Sequence, residues 1–457
     1  MPREPQALTP PPMPADTDPP ALRALLERID SRRAVVGVLG LGHIGLSIAA
    51  AMVEAGFPVL GHDSDAAHLA RLRRGDTPQR HLGPDLVARL TATGRFDVLA
   101  EPERLSEADA LLLCLPTPLG AHNEPDLGPV RAGVATAAAV LRPGCLVVLE
   151  STTYPGTTRE VVLPPLEAAG RVCGKDLFVA YAPERVDPGR SAPGTRAIPR
   201  IVGGLDAPSR RAAARLYGAA VDRVVEVSSA EVAEAAKLHE NIYRAVNIAM
   251  VNEMKVLLTD MGIDVREVIA AASTKPFGFE PFEPGPGWGG HCIPIDPFYL
   301  AWRARAVGRD ARFIELAGEV NRAMPDWVIG RAERALLARG TPLSGARVLV
   351  LGLAYKADID DARESPSLQL LAGLAARGAQ VAYHDPHVPA VPATRPEGVP
   401  ELASVPLDAA ALAAHDAVLI ATAHRAIDWD AVARHARLVI DTRGILRGRP
   451  GDHIVPA

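Results

Sequence analysis

The sequence predicts an α/β fold of two doubly wound domains joined by a central helical domain, and three observations predict it. The β-branched run Ala34-Val35-Val36-Gly37-Val38-Leu39 leads straight into Gly40-Leu41-Gly42-His43-Ile44-Gly45 and an alanine-rich helix. Far downstream, Ala346-Arg347-Val348-Leu349-Val350-Leu351-Gly352 starts a second apolar strand that ends in glycine. Between them, Ala230 to Asp260 contains few helix breakers and reads as one long helix. Strand, turn and helix in alternation build parallel sheets, so both sheet domains are expected to be Rossmann-like. At 457 residues the chain exceeds one ordinary core. The expected division is a tail and short helix over 1–30, a first sheet domain over 31–215, a helical domain over 216–335 and a second sheet domain over 336–457.

In chain order, Met1 to Pro20 holds eight prolines and almost no large apolar side chain, so it cannot bury enough surface to offset its ordering entropy. Leu22, Leu25 and Leu26 then fall at helical spacing within Ala21 to Asp30. Next comes the glycine turn in its full context, a strand before it and a helix from Leu46 to Ala55 after it. A second strand, Val59-Leu60-Gly61-His62-Asp63, ends in an acid 21 residues beyond Gly42. That spacing is a dinucleotide fingerprint. Gly40 permits the tight turn, Gly42 lets the backbone approach a pyrophosphate, Gly45 lets helix and strand pack, and the helix N-terminus attracts the negative charge. His43 and Ile44 lie within the same turn. Asp63 is expected to accept from the adenosine ribose and to repel a 2′-phosphate, and no arginine follows it, which predicts NAD over NADP.

Two further apolar strands end in Pro116-Thr117-Pro118 and in Ser151-Thr152-Thr153-Tyr154-Pro155-Gly156. Ligands bind outside the carboxyl ends of such strands, so Thr117 and Thr152 are expected at the cofactor; hydroxyls there also cap following helices, and both readings stand. Phe178 to Arg185 ends another strand with an adjacent acid and base, Glu184 and Arg185. In the long helix Lys237, Asn241 and Arg244 share a face, while Ala236, Val246, Ile248, Val251 and Met254 predict that much of the helix is buried. The stretch Asp310 to Ala338 is expected to be helical but interrupted at Pro325. In the last domain the first strand runs into Tyr355-Lys356 and then Asp360-Asp361-Ala362-Arg363, where cations at a strand end suit phosphate. It is followed by a helix from Ser367 to Arg377 and strands over 380–384 and 417–421.

Composition narrows the partners. The formal charge of −5 lacks the basic excess that nucleic-acid binding needs. No segment approaches the run of about 18 apolar residues that a membrane helix requires, and the N-terminus has no apolar signal core, so a cytoplasmic protein is expected. Four cysteines, Cys114, Cys145, Cys173 and Cys292, show no CxxC spacing, which suits a reducing compartment and argues against a structural metal site. Of these, Cys292 stands apart. It follows two glycines in Gly289-Gly290-His291-Cys292-Ile293-Pro294-Ile295-Asp296-Pro297, on a Gly- and Pro-rich loop that cannot be helix or central strand. A thiol there reads as a catalytic nucleophile, against the plain alternative of a small buried hydrophobe.

The segments GLGHIGL, PTPL, STTYPGTT, APERVDPG, KLHENIYRAVNIAMVNE, PGPGWGGHCIPIDP and GLAYKADIDDARESP together resemble the UDP-glucose/GDP-mannose dehydrogenase family, in the family's own order. The wording of STTYPGTT, PERVDPG and GGHCIPIDP is more similar to the branch acting on UDP-N-acetylglucosamine and related N-acetylated sugars. Two departures argue against UDP-glucose: Pro188 stands where that branch carries a glutamate, and Ile295 where it carries a lysine.

The resemblance implies oxidation of a sugar C6 hydroxymethyl to a carboxylate with two NAD per turnover. It implies Cys292 as nucleophile, Lys237 and Asn241 as stabilisers of charged intermediates, Asp296 as the group that orients or activates water, and Glu184 as a further catalytic group. Arg185, Val186, Arg244, Gly289, Tyr355, Lys356 and Arg443 would meet substrate, and Arg363 the cofactor. A homodimer or higher homo-oligomer through the long helix and a role in polysaccharide formation are implied too, with no metal. A UDP-N-acetylmannosamine or UDP-glucose dehydrogenase is the alternative within the family. A β-hydroxyacid dehydrogenase is opposed by the third domain and Cys292, and a non-catalytic nucleotide-sugar sensor would have no use for a thiolate.

Overall fold

The computed structural model describes residues 18–78, 82–120, 123–185 and 195–457. The proline-rich segment expected to be a tail lies almost wholly outside them. The chain packs as two compact units, one of Met1–Glu240 with Trp302–Gly308, the other of Asn241–Ala301 with Arg309–Ala457. No helix among the described residues is long and apolar enough to cross a membrane.

The first unit opens with the helix Pro20–Asp30, whose Leu22, Leu25 and Ile29 are buried. Its eight strands are β1 (Val36–Leu39), β2 (Val59–His62), β3 (Phe96–Val98), β4 (Ala110–Leu113), β5 (Cys145–Leu149), β6 (Leu177–Tyr181), β7 (Arg200–Gly204) and β8 (Val224–Glu226). They lie in the order β3-β2-β1-β4-β5-β6-β7-β8, and only the β6–β7 pair is antiparallel. Every residue of β1, β4, β5 and β6 is buried, which is why those strands read as continuous apolar runs without alternation. The strand order reverses between β1 and β4, and that is where a doubly wound sheet offers its crevice.

The second unit holds a five-stranded parallel sheet of β9 (Arg347–Leu351), β10 (Gln380–His384), β11 (Ala417–Ile420), β12 (Val439–Asp441) and β13 (Ile454–Pro456), in the order β10-β9-β11-β12-β13. Its reversal falls between β9 and β11. The two reversals are built alike. Gly40 (φ +90°) follows β1, and a Cβ there would come within 2.3 Å of the Cys114 carbonyl oxygen. Gly352 (φ +88°) follows β9, and a Cβ there would come within 2.6 Å of the Thr422 carbonyl oxygen. Val38-Leu39-Gly40-Leu41 and Val350-Leu351-Gly352-Leu353 are the same four residues twice.

The helix Ala230–Asp260 forms as the sequence predicts. Its burial is less complete than the apolar pattern implies: Val251 is buried, whereas Met250 and Met254 are exposed, because methionine and valine at helical spacing read alike whether core or unit surface covers them. The interruption expected at Pro325 does not occur. Arg312–Leu337 is one helix that runs through it. Proline removes one backbone bond and costs about 3 kcal/mol in a helix interior, but Met324, Val328, Ile329, Ala332 and Leu336 are buried along the same face. The four larger side chains, Met324, Val328, Ile329 and Leu336, contribute about 1.5–3 kcal/mol each on burial, so the face outweighs the lost bond.

Candidate active site

In the first unit the groups at the β1/β4 reversal form a cradle. Gly42 is the extended N-cap of the helix His43–Glu54 and supplies no side-chain cap, so the first backbone N–H groups of that helix point outward unpaired by any cap. Nothing lies within 4 Å of a Cβ built on Gly42, whereas one on Gly45 would fall 1.8 Å from the Gly40 carbonyl oxygen. Open space above Gly42 and close packing beneath Gly45 are what a bound pyrophosphate requires, with His43 and Ile44 as the first helical residues. Asp63 ends β2 and accepts from the Leu41 N–H at 2.8 Å, which pins it beside the turn. These residues fit a dinucleotide.

Other expected residues of this unit are engaged internally. Thr117 is buried and its hydroxyl donates to the Thr152 carbonyl at 2.9 Å. Glu184 is buried in an ion pair with Arg200 at 3.0 Å, and Arg200 also pairs with Glu150 at 3.0 Å. Burial raises Glu150 to about 7, with the Arg200 charge opposing. Arg185 pairs with Glu240 at 2.6 Å. Val186 and Pro188 lie outside the described residues. Lys237 is buried, at 9 % exposure, one helical turn before Asn241.

In the second unit the loop after Phe282 brings the thiol into place. Gly287 and Gly290 take φ of +128° and +89°, conformations that favour glycine. A Cβ on Gly289 would lie 2.7 Å from the Tyr355 Cβ, and one on Gly290 would lie 2.8 Å from the Tyr355 ring. The two glycines therefore let this loop pack directly on Tyr355. The Gly290 N–H donates to the Arg363 carbonyl at 3.2 Å, a second tie to the same segment. Cys292 follows and is exposed, unlike buried Cys114 and Cys145. That removes the small-hydrophobe alternative.

The Cys292 carbonyl accepts from the Asp296 N–H at 2.9 Å as the helix Asp296–Ala306 begins. Asp296 is 2 % exposed and accepts from the Asn241 amide at 2.6 Å. A charge-assisted bond this short between buried groups fixes both side chains. Arg363 is paired with Asp361 at 2.6 Å, and that hydrogen bond raises its pKa, with Tyr355 and Cys292 as smaller contributors. Burial, and then the Arg363 charge, lowers the pKa of His291. Arg443 lies after β12; its Nε donates to the Ala421 carbonyl at 2.6 Å, and a Cβ on Gly285 would lie 2.6 Å from its terminal nitrogen. Burial, reinforced by Arg266, brings Arg443 down to about 10, so it stays charged at neutral pH. Arg244 is exposed on the long helix. Within this unit the fold thus gathers Asn241, Gly289, Cys292, Asp296, Tyr355 and Arg363.

Sequence reasoning missed the groups that hold the Tyr355-Lys356 turn. Asp385, at the end of β10, accepts from the Leu353 and Ala354 N–H groups at 2.6 and 2.9 Å. His424 pairs with the same carboxylate at 3.0 Å, and its other nitrogen accepts from the Asp358 N–H at 3.0 Å. The Thr422 hydroxyl donates to the Ala354 carbonyl at 2.6 Å. Burial alone would raise Asp385, yet His424 and the backbone donors hold it down to about 2. A signal was present: His62-Asp63 ends β2, and His384-Asp385 ends β10 at the same place in its sheet. The acid of the second sheet is wholly committed to its own loop.

A glycine cradle with a helix N-terminus in one unit, and in the other an exposed thiol on the loop that leads into the buried Asn241–Asp296 pair, fit a dinucleotide-dependent oxidoreductase. Family models agree on which one. The UDP-glucose/GDP-mannose dehydrogenase NAD binding domain matches residues 34–221, the central domain 231–323 and the UDP binding domain 349–448. The chain belongs to the UDP-glucose/GDP-mannose dehydrogenase family. It is an NAD-dependent UDP-sugar dehydrogenase. It is 33% identical over 393 residues to a UDP-N-acetyl-D-glucosamine 6-dehydrogenase of Pseudomonas aeruginosa, covering 85% of this chain and 90% of that one. It is likewise 33% identical over 423 residues to a UDP-N-acetyl-D-mannosamine dehydrogenase of Pyrococcus horikoshii, covering 91% and 96%. A solved UDP-D-ManNAc dehydrogenase structure from Pyrococcus horikoshii matches with a TM-score of 0.83 at 31% identity, over 92% of this chain and 98% of that one.

Proposed function

We propose that the chain oxidises the C6 hydroxyl of a UDP-N-acetyl-hexosamine to the uronic acid in two NAD-dependent steps, with UDP-N-acetylglucosamine as substrate. The observation that carries this reading is the exposed Cys292 thiol, presented by Gly289 and Gly290 against Tyr355 with the Asn241–Asp296 pair one helical turn away. NAD, when bound at the Gly40–Gly45 turn beside Asp63, supplies the hydride acceptor for both oxidations. Everything else falls to side chains. A free aldehyde would hydrate or escape between the two steps. Cys292 adds its sulfur to the aldehyde carbon as a thiohemiacetal, whose oxidation leaves a thioester, and water then releases the acid and restores the thiol. Lys237 and Asn241 stabilise the developing oxyanion, each worth about 3 kcal/mol by analogy with other such donors. Asp296 orients the water, and Glu184 belongs to the catalytic set through its Arg200-bound carboxylate.

Tyr355, Lys356, Arg443, Arg244, Arg185, Val186 and Gly289 form the substrate set and Arg363 meets the cofactor, while Thr117 and Thr152 line the cofactor crevice. The domain over 216–335 dimerises: Tyr243, Met250, Met254, Leu257, Met261 and Phe277 are exposed within it, between positions 243 and 277, an apolar stretch that a second copy would cover. Four cysteines, none of them in a disulfide, suit a reducing cytoplasm and the product suits polysaccharide synthesis. The likeness to the Pyrococcus horikoshii structure favours UDP-N-acetylmannosamine as the second reading.

The test offers each UDP-sugar separately and counts NADH per sugar. Two NADH with UDP-N-acetylglucosamine preferred supports the proposal, and preference for the mannosamine epimer supports the second reading. Cys292→Ser is expected to abolish acid formation; a variant that still releases two NADH per sugar would refute the covalent role.

A further inference from the structure

The second unit contains a cavity of about 390 Å³ that includes none of Asn241, Cys292, Asp296, Tyr355, Lys356, Arg363 or Arg443 in its wall. It lies between the end of the helix Ala230–Asp260, the turn after it, the helix Arg312–Leu337 and the chain segment that follows β12. Five cations line it, and three of them come from three helices: Lys255 from Ala230–Asp260, Arg266 from Val265–Ala272 and Arg331 from Arg312–Leu337.

Their partners are almost all carbonyl oxygens. Lys255 is 2 % exposed, donates to the Thr442 carbonyl at 3.4 Å and sits 5.3 Å above the Trp327 ring. Arg266 donates to the Thr442 and Pro284 carbonyls at 2.9 and 3.4 Å, and its one carboxylate neighbour, Glu283, is 3.6 Å away and mostly exposed. Arg331 donates to the Pro456 carbonyl at 3.2 Å. The Nε groups of Arg266 and Arg331 are buried without a hydrogen-bond partner.

The acids of the wall are engaged elsewhere. Asp441 accepts from the backbone N–H groups of Arg443, Gly444 and Leu446. Asp264 is paired with Arg447 at 2.7 Å and accepts from the Arg266 N–H. Arg449, also in the wall, is paired with Asp430. Asp260 acts on Arg331 through space without an ion pair. Of the three helix-borne cations around this one concave space only Arg266 has an ion pair, a long one to exposed Glu283, while Lys255 and Arg331 meet carbonyl oxygens, and buried charge is costly unless it is paired. Guanidinium forks and an ammonium lining one cavity are the donor types that hold a phosphoryl group. The volume admits a small organic phosphate, not only an inorganic ion.

We propose that the cavity walled by Lys255, Arg266 and Arg331 is a second ligand site, separate from the substrate site, that binds a small phosphate-bearing molecule. Pyrophosphate is the probe, titrated calorimetrically into the full chain with and without saturating UDP. One pyrophosphate per chain is expected to bind while UDP is present. Lys255→Met and Arg331→Gln are each expected to weaken it roughly tenfold, the loss typical of one charge-assisted contact. Met keeps the length and apolar stem of Lys255, and Arg331 is only partly buried, so at least the second variant retains the fold; thermal melts check both. Trp327 emission should shift on binding in the wild type but not in Lys255→Met. The proposal is overturned if UDP displaces all pyrophosphate, if no saturable binding occurs, or if both variants bind it as the wild type does. Failure of the substrate assignment would leave the variant comparison without UDP intact, so the two readings fail separately.

Discussion

Asn241 donates to Asp296 at 2.6 Å, and both residues are almost fully buried, at 5 % and 2 % exposure. If Asn241 works mainly by holding Asp296, removing either side chain should remove the same interaction. Asn241→Leu keeps the volume and deletes the donor, and Asp296→Asn keeps the shape and deletes the charge. A hydrogen bond to a charged group is worth about 1.5–3 kcal/mol. The double variant should therefore be faster than the product of the two single effects on kcat by roughly tenfold to a hundredfold, since 1.4 kcal/mol is a factor of about ten. The assay is NADH release at saturating sugar and NAD for wild type, both singles and the double, with melting curves to confirm that each variant folds. Effects that multiply to within about 0.5 kcal/mol would show that the two groups act independently, and the positioning argument would be wrong.

Further outcomes follow from the same geometry. Gly290→Ala puts a Cβ at φ +89° and 2.8 Å from the Tyr355 ring. A left-handed conformation costs about 1–2 kcal/mol and overpacking about 1–3 kcal/mol, so melting temperature and activity should both fall. Gly289→Ala, which has no positive φ, should be milder, and equal melts for the two would refute the ordering. Asp385 is held down to about 2 from 3.8, so its contribution is present above about pH 4 and lost as pH falls toward 2. That difference is worth roughly 2 kcal/mol, and acid titration of stability should be shallower in Asp385→Asn than in the wild type. Burial and neighbouring arginines lower the pKa of Lys255, so without a bound anion Lys255 weakens the fold increasingly as pH falls below the ordinary lysine range. Lys255→Met should flatten that dependence below about pH 10, measured by melts in phosphate-free buffer.

Much was legible in the sequence because it depends on local chemistry. Gly40, Gly42 and Gly45 announce a strand-turn-helix cradle because only glycine allows the φ of Gly40 and the close packing at Gly45, while Gly42 leaves the space above the turn open. Ala230 to Asp260 announces a helix because its residues all favour one, and the apolar runs of β1, β4, β5 and β9 announce strands buried on both faces. Cys292 stood out because two glycines and a proline-rich approach leave it no regular element to hide in.

What the sequence could not decide is which distant groups meet. Pro325 should break a helix by local rule, and only the burial of its face outweighs that. Glu184 and Thr117 look free at strand ends, and only the packed sheet reveals that Arg200 and the Thr152 carbonyl engage them. Asn241 and Asp296 are 55 residues apart and have no local reason to bond. Asp385 and His424 clamp the Tyr355 turn from two other strands, and Lys255, Arg266 and Arg331 converge on one cavity from three segments. Backbone preference is a property of neighbours in the chain, so sequence alone determined the elements, the cradle and the thiol loop. Ion pairs, buried hydrogen bonds and cavities depend on side chains brought together by sheet order and helix packing, and those only the tertiary structure decided.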